Sequence, residues 1–550
     1  MSTIKLKKPM QRWLFGGIGF HNSEATMTPI MTDTFKNERV LKSFAEISPT
    51  FSRVFGGYAD WTKDAMDRFA DYYDKTFRKS GTLLYLVPGR LPYITKDFDI
   101  EKHAEDIAKN LDYLINEKKC TKIRYYCITN ELSVGNSGAW LEQRLDLFKE
   151  LHDALYRAFK RHGLGVGLVA TDASGAKNFW QVKWAVDNMD EITDAYCTHL
   201  YQNKYAPGDL HLYDHLMNLF SGAVGDALSK QKRYILGEFG ITTWAELGVP
   251  WSGNKIAIPM INDVPYSESV PGSDGICAVA LAEMAIAIVN SGTLAGVYWT
   301  MFDYPDPFLI EDGDTAEEKA KYDVSRFSGH GLGIRYNKHG LIRWNDDDKN
   351  YSGRAALYTL GYMAKLFRKN SRVLCVDDID DEYLRCAAVT NSDGSISVAI
   401  INWAEKEKTV DFTVEHNIDK PMRVYEFEAD NPTYNEFCDL QDHSSVIESK
   451  DSKFKITLKP KSATFLTTDY IDRTPSKIKN IILKNNKLVW NPCDDIEHCY
   501  YRVFASSEKN FEPCYENQIA STVAEYKEID NPNLYYKVVS VDKYGNAGKI

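Results

Sequence analysis

The sequence predicts an α/β protein whose largest part is a (β/α)8 barrel, followed by a β-sandwich and a small C-terminal all-β module. Three observations predict this architecture. Strand-like and helix-like segments alternate eight times up to about residue 370, which is typical of a closed parallel barrel. After Lys369 the segments become short alternating strands between turn residues. Thr474 and Pro475 then read as a linker before a last strand-rich stretch.

The barrel prediction rests on eight apolar runs rich in aromatic and β-branched residues. These expected strands cover residues 13–20, 50–55, 82–87, 124–128, 166–170, 195–201, 233–239 and 296–301. Helix-like periodicity separates the strands and is clearest over 100–117. The other expected helices cover 40–47, 64–78, 141–161, 180–189, 212–229, 276–290 and 351–367. Long connections after the seventh and eighth strands should build one wall of a site.

The β-rich parts follow the barrel. Expected sandwich strands cover 374–376, 384–388, 395–402, 409–414, 422–427 and 454–458. The last stretch has a tryptophan strand around Trp490 and two strands with Tyr-x-Val spacing, and it resembles a fibronectin type III module. We therefore expect a catalytic barrel over 10–370, a sandwich over 371–472 and a fibronectin type III-like domain over 475–550. The sandwich is expected to pack against the complete barrel that precedes it.

Composition limits the class of partner. Hydrophobic residues make up 44% and charged residues 26% of the chain, as in ordinary folded proteins. The net charge of −11, without a basic stripe, argues against a nucleic-acid partner. Aromatic residues reach 13%, a supply suited to stacking on sugar faces, although most of them are expected in the core.

No cofactor or membrane partner is expected. The ten cysteines lack the spacing of a zinc site or a disulfide framework, and no phosphate-binding loop or nucleotide fingerprint is present. The acidic clusters 346–348 and 377–382 lack the pattern of a calcium loop. No run of 18 apolar residues predicts a membrane span. Residues 1–13 lack the apolar core of a signal peptide, so a cytoplasmic protein is expected, or a secreted one if a leader was removed.

Two glutamates stand where expected strands end. Asn130 and Glu131 follow the fourth strand, and Glu238, flanked by glycines, ends the seventh. Because chemistry in such barrels gathers at the C-terminal ends of the strands, the two carboxylates are expected to work on one bond. Carboxyl groups about 5–5.5 Å apart suit retaining glycoside hydrolysis, in which one is the nucleophile and the other the acid and then the base. Asn130 would donate to the sugar 2-hydroxyl.

These motifs resemble clan A of the glycoside hydrolases over roughly residues 10–370. The specific items are the Asn130–Glu131 pair and Glu238. The supporting items, on strands two, six and eight, are Arg53, His199, Leu200, Tyr201 and Trp299. Many clan members have proline after the Asn-Glu pair, whereas this chain has Leu132, so the resemblance assigns no family within the clan.

The resemblance implies a role for each residue. Glu131 would be the general acid/base and Glu238 the nucleophile, which needs a raised pKa at the acid and an ionised nucleophile. Arg53 and Tyr201 would hold and tune Glu238. Trp299 would form the floor of the −1 sugar subsite, and His199 would line the same pocket.

Further candidates lie in or beside loops or near other strand ends. Sugar platforms could come from Trp61, Trp140, Trp180, Trp244 and Trp251. Asp172 and Asp303 are reserve carboxylates, better suited to binding sugar hydroxyls than to proton transfer. Each candidate has a structural alternative: a strand-end glutamate can be a salt bridge or helix cap, Arg53 an ion-pair partner, and His199 a core histidine.

The sequence therefore predicts a retaining glycoside hydrolase that cleaves β-glycosidic bonds of an oligo- or polysaccharide. Two alternatives stay open: a transglycosidase that uses the same site, and a non-catalytic carbohydrate-binding protein. A metal-dependent barrel enzyme is disfavoured, because no carboxylate trio or histidine cluster falls on successive strand ends.

Overall fold

The computed structural model describes most of the chain. The described residues are 2–9, 13–22, 36–89, 97–133, 143–202, 204–241, 275–304, 339–345, 349–377, 379–415, 420–432 and 434–549, with a few single positions and short strands between these ranges. Among them, no helix is long and apolar enough to cross a lipid bilayer.

Strands and helices alternate through the first 370 residues. In chain order the elements are β1 (Ser2–Lys7), β2 (Gly17–Asn22), α1 (Glu38–Ile47), β3 (Phe51–Phe55), α2 (Lys63–Lys75), α3 (Phe77–Ser80), β4 (Leu83–Val87), α4 (Ile100–Asp112), β5 (Ile123–Tyr126), α5 (Leu145–Arg161), β6 (Gly167–Ser174), α6 (Trp180–Met189), β7 (Ala195–Gln202), α7 (His211–Leu228), β8 (Arg233–Ile241), β9 (Thr243–Trp244), β10 (Val249–Pro250), β11 (Met260–Ile261), β12 (Val264–Pro265), α8 (Gly275–Asn290), β13 (Ala295–Tyr298), β14 (Tyr304–Pro305), β15 (Tyr336–Asn337), β16 (Ile342–Asn345), β17 (Asn350–Gly353) and α9 (Leu357–Leu366). Side chains cap the first turns of α1, α2 and α4, namely Asn37, Thr62 and Asp99.

Eight parallel strands close into a barrel in the order β13-β2-β3-β4-β5-β6-β7-β8, which confirms the predicted fold. The strands alternate between two apolar clusters, as a period of two requires. In β3, Phe51 and Phe55 belong to the cluster that fills the barrel interior, whereas Val54 packs outward against the helices. Arg53 shares the inward parity of Phe51 and Phe55, so the strand itself aims this guanidinium into the barrel.

Two predicted helices depart most from their expected bounds. The helix expected over 100–117 is α-helical only to Asp112, and a π-helical turn covers Tyr113–Glu117. The helix expected over 351–367 begins at Leu357, because the residues before it form β17 in a hairpin with β16.

After α9 the described part of the chain has one 3₁₀ turn, Tyr515–Asn517, and otherwise strands, most of them short. They are β18 (Arg372–Val373), β19 (Cys375–Asp377), β20 (Leu384–Thr390), β21 (Ile396–Asn402), β22 (Lys408–Val414), β23 (Met422–Glu428), β24 (Ser445–Ile447), β25 (Lys453–Leu458), β26 (Ser462–Thr467), β27 (Ile482–Lys484), β28 (Lys487–Val489), β29 (His498–Ser506), β30 (Gln518–Thr522), β31 (Tyr526–Glu528) and β32 (Tyr535–Asp542). The sandwich pairs a sheet of order β19-β1-β22-β25 with one of order β18-β20-β21-β26-β23-β24.

The N-terminal strand belongs to the sandwich. β1 runs parallel to β22 and antiparallel to β19, and Ile4 and Leu6 lie in the sandwich core. The expectation that residues 371–472 alone form this unit is therefore incomplete, because its second sheet needs a strand from the other end of the chain.

The C-terminal part has two three-stranded sheets, β27-β28-β31 and β30-β29-β32. Trp490 is buried against Tyr501 in its core, with ring centroids 5.4 Å apart. Its fibronectin type III character stays a prediction.

Candidate active site

The candidate residues meet at the C-terminal ends of the barrel strands. Arg53 comes from β3, Glu238 from β8, and both His199 and Tyr201 from β7. Asn130 and Glu131 follow β5, and Trp299 follows β13. Because the chain turns away from the sheet at these points, side chains from five strands converge in one place.

Irregular pairing sets the direction of two of these side chains. The register between β6 and β7 shifts at Asp172, and the register between β7 and β8 shifts between Thr198 and His199. Such bulges reverse the inward parity of a strand and occur beside active sites. In β8 the shift leaves Glu238 paired with His199, so both side chains belong to the barrel interior.

Glu238 is fixed at both carboxylate oxygens. Arg53 Nη1 donates to Oε1 at 2.5 Å, and the Tyr201 hydroxyl donates to Oε2 at 2.5 Å. The Glu238 side chain is only 4% exposed. Two short hydrogen bonds, one of them charge-assisted, support the ionised carboxylate in a single orientation, as a nucleophile requires.

Glu131 reaches the solvent side of the site. Its side chain is 20% exposed, and its Oε1 lies 3.2 Å from His199 Nδ1. The backbone of Glu131 is left-handed, with φ of 52°, a conformation that costs a non-glycine residue roughly 1–3 kcal/mol and concentrates at functional sites. The next residue, Leu132, is fully buried in the core and so anchors the turn that follows Glu131.

The two glutamates lie close enough to act on one bond. One carboxylate oxygen of Glu131, one of Glu238 and one ring nitrogen of His199 all lie within 4.8 Å of one another. This separation fits the retaining geometry, whereas inverting enzymes hold the carboxyl groups roughly 6.5–9.5 Å apart.

The glutamates also compete for protons. Burial raises the pKa of Glu238, together with the charge of Glu131, while His199, Arg53 and the Tyr201 hydroxyl oppose the rise. Burial acts to raise the pKa of Glu131 as well, but the hydrogen bond and charge of His199 outweigh burial and lower it. These directions are the reverse of those expected from the sequence. The two carboxylates also differ in position: Glu131 is the more exposed of the two, and Glu238 is fixed by Arg53 and Tyr201.

Arg53 joins the strands through a fully buried guanidinium. Its Nη2 donates to Asn130 Oδ1 at 2.6 Å and to Asp172 Oδ2 at 2.6 Å. Since Arg53 occupies the carbonyl oxygen of Asn130, the amide nitrogen remains as the donor that a sugar hydroxyl needs. The charges of Asp172 and Glu238 raise the pKa of Arg53 further although burial opposes the rise.

His199 lies between three carboxylates. Nδ1 is 3.2 Å from Glu131 and 3.4 Å from Glu238, and Nε2 is 3.0 Å from Asp172 Oδ1. Burial alone would lower the pKa of His199, but Asp172 and Glu238 outweigh it and raise the pKa to about 10. The ring is therefore an imidazolium at neutral pH, not a plain core histidine.

Trp299 keeps a partly exposed side chain at the end of β13. His21 stacks on it with ring centroids 4.3 Å apart, and Phe55 packs at 5.5 Å. The Trp299 amide donates to the carbonyl of Phe239 at 3.2 Å, which ties it to the strand of Glu238. Sequence reasoning gave His21 no role, although its place at the end of the first strand was the available signal.

The two reserve carboxylates are not placed to bind sugar. Asp172 and Asp303 are both fully buried. Both Nη atoms of Arg354 donate to the Asp303 carboxylate, at 2.7 and 2.8 Å. The backbone amides of Gly340 and Trp344 also donate to Asp303. Asp303 therefore anchors the β16–β17 hairpin to the barrel instead of facing a substrate.

Only some of the predicted platforms can be located. Trp140, Trp251 and the side chain of Trp244 lie outside the described residues. Trp180 is 50% exposed at the start of α6 and remains available as a platform. Trp61 packs against Tyr58 and Phe69, in the manner of an ordinary barrel residue.

Two groups of side chains in the described part of the chain have the spacing of metal ligands. They are Asp172, Cys197 and His199, and Glu131, His199 and Glu238. Arg53 contacts a carboxylate of each group, at 2.6 Å in the first and 2.5 Å in the second. A divalent cation bound there would have to compete with the buried guanidinium of Arg53 for these carboxylates.

Comparison with known proteins gives matches among solved structures. No family model and no curated protein sequence matches the chain. A family 30, subfamily 8 xylanase from Clostridium acetobutylicum is 13% identical, covering 85% of this chain and 98% of that one, with a TM-score of 0.54.

Two further structures give the same result. The catalytic domain of a family 30 xylanase from Talaromyces cellulolyticus matches at 13% identity over 84% of this chain and 99% of that one, with a TM-score of 0.55. A family 51 α-L-arabinofuranosidase from Bifidobacterium longum matches at 13% identity over 85% and 99%, also at 0.55. The chain therefore shares the fold of these family 30 and family 51 glycoside hydrolases, a (β/α)8 barrel with an attached β-sandwich.

Proposed function

We propose that the protein is a retaining glycoside hydrolase acting on an oligo- or polysaccharide. The observation that carries the proposal is the pair Glu131 and Glu238, with carboxylate oxygens within 4.8 Å at the C-terminal end of the barrel. Arg53 and Tyr201 fix Glu238, while Glu131 is partly exposed. This asymmetry supports one nucleophile and one acid/base rather than two equivalent acids.

The reaction would proceed in two displacements. A carboxylate oxygen of Glu238 attacks the anomeric carbon while the glycosidic C–O bond breaks, and Glu131 gives its proton to the leaving oxygen. A water molecule then attacks the same carbon, Glu131 takes its proton, and the ester to Glu238 breaks. The sugar leaves with the anomeric configuration it had in the substrate, and Glu131 is protonated again.

The nucleophile is tested by removing it. Glu238→Ala should lose turnover by on the order of 10⁴-fold or more, because no group can form the covalent intermediate. Added azide can enter the space and attack the sugar directly, so the product should be a glycosyl azide of inverted configuration, identified by proton NMR. Wild-type activity in this variant would contradict the proposal. Asp303→Asn is the matched control, a strand-end carboxylate that azide should not replace.

The acid/base role needs a different readout. Glu131→Ala should slow the hydrolysis of sugars with poor leaving groups far more than that of 2,4-dinitrophenyl glycosides, because only the former need a proton. Azide should rescue this variant with retained configuration, since Glu238 still forms the intermediate. Equal losses on both kinds of substrate would remove Glu131 from this role.

The substrate class is approached by a screen. The structural relatives are named as xylanases and α-L-arabinofuranosidases, so aryl β-glycosides, xylan fragments and aryl α-L-arabinofuranosides are the first compounds to test. Added sugar acceptors would reveal transfer products if the enzyme is a transglycosidase. Binding without turnover, unchanged in both glutamate variants, would favour a carbohydrate-binding protein. A cytoplasmic location is part of this proposal.

A further inference from the structure

Asp172 is a buried carboxylate that the two displacements do not use. Its Oδ2 accepts from Arg53 Nη2 at 2.6 Å. Its Oδ1 accepts from the Tyr85 hydroxyl at 2.7 Å and the Cys197 thiol at 3.1 Å, and it lies 3.0 Å from His199 Nε2. Each oxygen thus meets at least one cation, and the side chain is fully buried. A buried charge with this many partners is held in one position.

Both cations beside Asp172 also reach the catalytic pair. Arg53 contacts Glu238 at 2.5 Å, and His199 contacts Glu131 at 3.2 Å and Glu238 at 3.4 Å. Each cation therefore stands between Asp172 and a glutamate. A change of charge at Asp172 would pass to both glutamates through these contacts, without Asp172 touching a substrate.

Charge counting shows what Asp172 contributes. With Asp172, Glu131 and Glu238 ionised and both cations charged, the cluster has one net negative charge, so it gains by binding one proton. Without the charge of Asp172, Arg53 and His199 would balance the two glutamates and no proton would be needed. General acid catalysis requires that proton.

We propose that Asp172 is a positioning residue with two effects: it holds His199 as a fixed imidazolium, and its negative charge offsets that cation so that the Glu131–Glu238 pair keeps one proton. The inference deepens the proposed hydrolase function and rests on it for the roles of the glutamates. Asp172 lies in the left-handed region, with φ of 60°, at the bulge of β6, which is a costly conformation for a residue without a task.

Gly237 gives independent geometric support. A Cβ at this position would lie 2.5 Å from Cys197 Sγ and 3.1 Å from both Asp172 Oδ1 and His199 Nε2. The absence of a side chain here is what lets the carboxylate and the imidazole approach each other.

Among the described residues, the carboxylates within ion-pair distance of His199 are Glu131, Glu238 and Asp172. The side chains that contact these carboxylates or Arg53 are neutral or cationic: His21, Arg53, Tyr85, Asn130, Cys197 and Tyr201. Burial keeps His21 uncharged by holding its pKa well below the usual value, as do the charges of Arg53 and His199. In the described part of the chain, Asp172 is the only carboxylate that pairs with His199 without taking part in the proposed reaction.

The test replaces Asp172 by its neutral isostere. In Asp172→Asn, kcat/KM should fall by about 10- to 100-fold, as when a carboxylate that orients a histidine is lost. The basic limb of the pH profile should also move to lower pH, because the cluster releases its proton more readily. A purely structural role would lower activity and stability without moving this limb.

A second readout does not depend on turnover. Histidines labelled with 13C at Cε1 give NMR signals that report ring charge, and comparison with His199→Gln assigns the signal of His199. In the wild type this signal should stay that of an imidazolium from pH 5 to 8, and in Asp172→Asn it should titrate within that range. The matched control is Glu283→Gln, another buried carboxylate paired with an arginine, which should leave both readouts unchanged.

Three results would overturn the proposal. One is a folded Asp172→Asn protein whose pH limits equal those of the wild type. Another is an unchanged His199 signal in that variant. The third is a wild-type His199 signal that titrates between pH 5 and 8, a measurement that does not depend on whether Asp172→Asn folds. If no glycoside is hydrolysed at all, the proposed function fails. The NMR signal of His199 would still test whether Asp172 keeps that ring charged.

Discussion

Gly237 sets the spacing of the charges that support Glu238. Its own backbone lies in β8, one residue before Glu238, at the register shift between β7 and β8. Any side chain would push between Cys197, Asp172 and His199. The glycine is therefore required by a close approach of side chains, not by a turn.

The change Gly237→Ala tests this requirement. We expect a loss of roughly 1–3 kcal/mol in unfolding free energy from overpacking, and a fall in kcat/KM of at least tenfold because Asp172 and His199 must separate. Adding Cys197→Ala removes the nearest atom and should restore stability more than activity. Denaturant unfolding and steady-state kinetics measure the two effects.

Gly222→Ala on α7 is the control for this substitution. Its Cβ would meet nothing within 4 Å, so stability and activity should hold or improve slightly. Wild-type activity in Gly237→Ala would show that the spacing does not matter.

Strand-end reasoning anticipated which residues would meet. Glu131, Glu238, Arg53 and Tyr201 converge as expected, because parallel strands bring their C-terminal ends together whatever the loops do. The position of Asp172 could not be predicted, since a one-residue bulge decides whether its side chain enters the barrel or leaves it.

Helix α8 of the barrel contacts the sandwich through one buried charged residue. Its sequence is almost entirely apolar, and Glu283 is its only ionisable residue with a charge. Oε1 accepts from Arg385 Nε at 3.0 Å and Oε2 from Trp403 Nε1 at 3.0 Å, both from the sandwich. Burial raises the pKa of Glu283 to about 7, although Arg385 and Trp403 oppose it.

This raised pKa predicts a pH-dependent stability. The folded protein binds the Glu283 proton more tightly than the unfolded chain, so stability is lost as pH rises from about 4.5 through 7. Glu283→Gln cannot ionise, and relative to the wild type it should gain about 1–3 kcal/mol between pH 5 and pH 8. Urea unfolding of both proteins at several pH values gives the difference. The prediction would be contradicted if the difference in unfolding free energy between the two proteins stayed constant with pH, or if it shifted in favour of the wild type as the pH rose.

Strand pairing shows a different limit of sequence reasoning. The eight barrel strands could be found because each is followed by a helix that must pack on it. β1 could not be assigned, because its partners β19 and β22 lie more than 360 residues away and nothing local selects them.

On the scale of the whole molecule, a buried ionic network joins all three parts. Lys42, on barrel helix α1, is fully buried and lies 2.8 Å from Glu46 and 2.6 Å from Asp439, which follows β23 of the sandwich. Arg502, on β29 of the C-terminal module, donates to Asp439 at 3.2 Å, and the Tyr500 hydroxyl donates to Glu46 at 3.1 Å. The expected linker at Thr474 and Pro475 therefore leads to a module that is docked.

Asp439 is the centre of this network. It faces Lys42 from one side, and on the other its Oδ2 accepts from Arg502, Gln518 and Ser521. The charges of Lys42 and Arg502 hold its pKa below the usual value although burial opposes them. Since the cations from two parts of the molecule meet at this one carboxylate of the third, the three parts are expected to unfold together in a single calorimetric transition.

Asp439→Ala should break that cooperation. Removing one partner of a buried ion pair leaves a charge without compensation and costs about 3–5 kcal/mol. We expect a lower Tm and a transition that splits, with the C-terminal module unfolding first, as measured by differential scanning calorimetry. Asp411→Ala removes an exposed carboxylate 3.3 Å from Lys455 and should cost less than about 1 kcal/mol. If Asp439→Ala unfolds in one transition at the wild-type Tm, the network does not hold the three parts together.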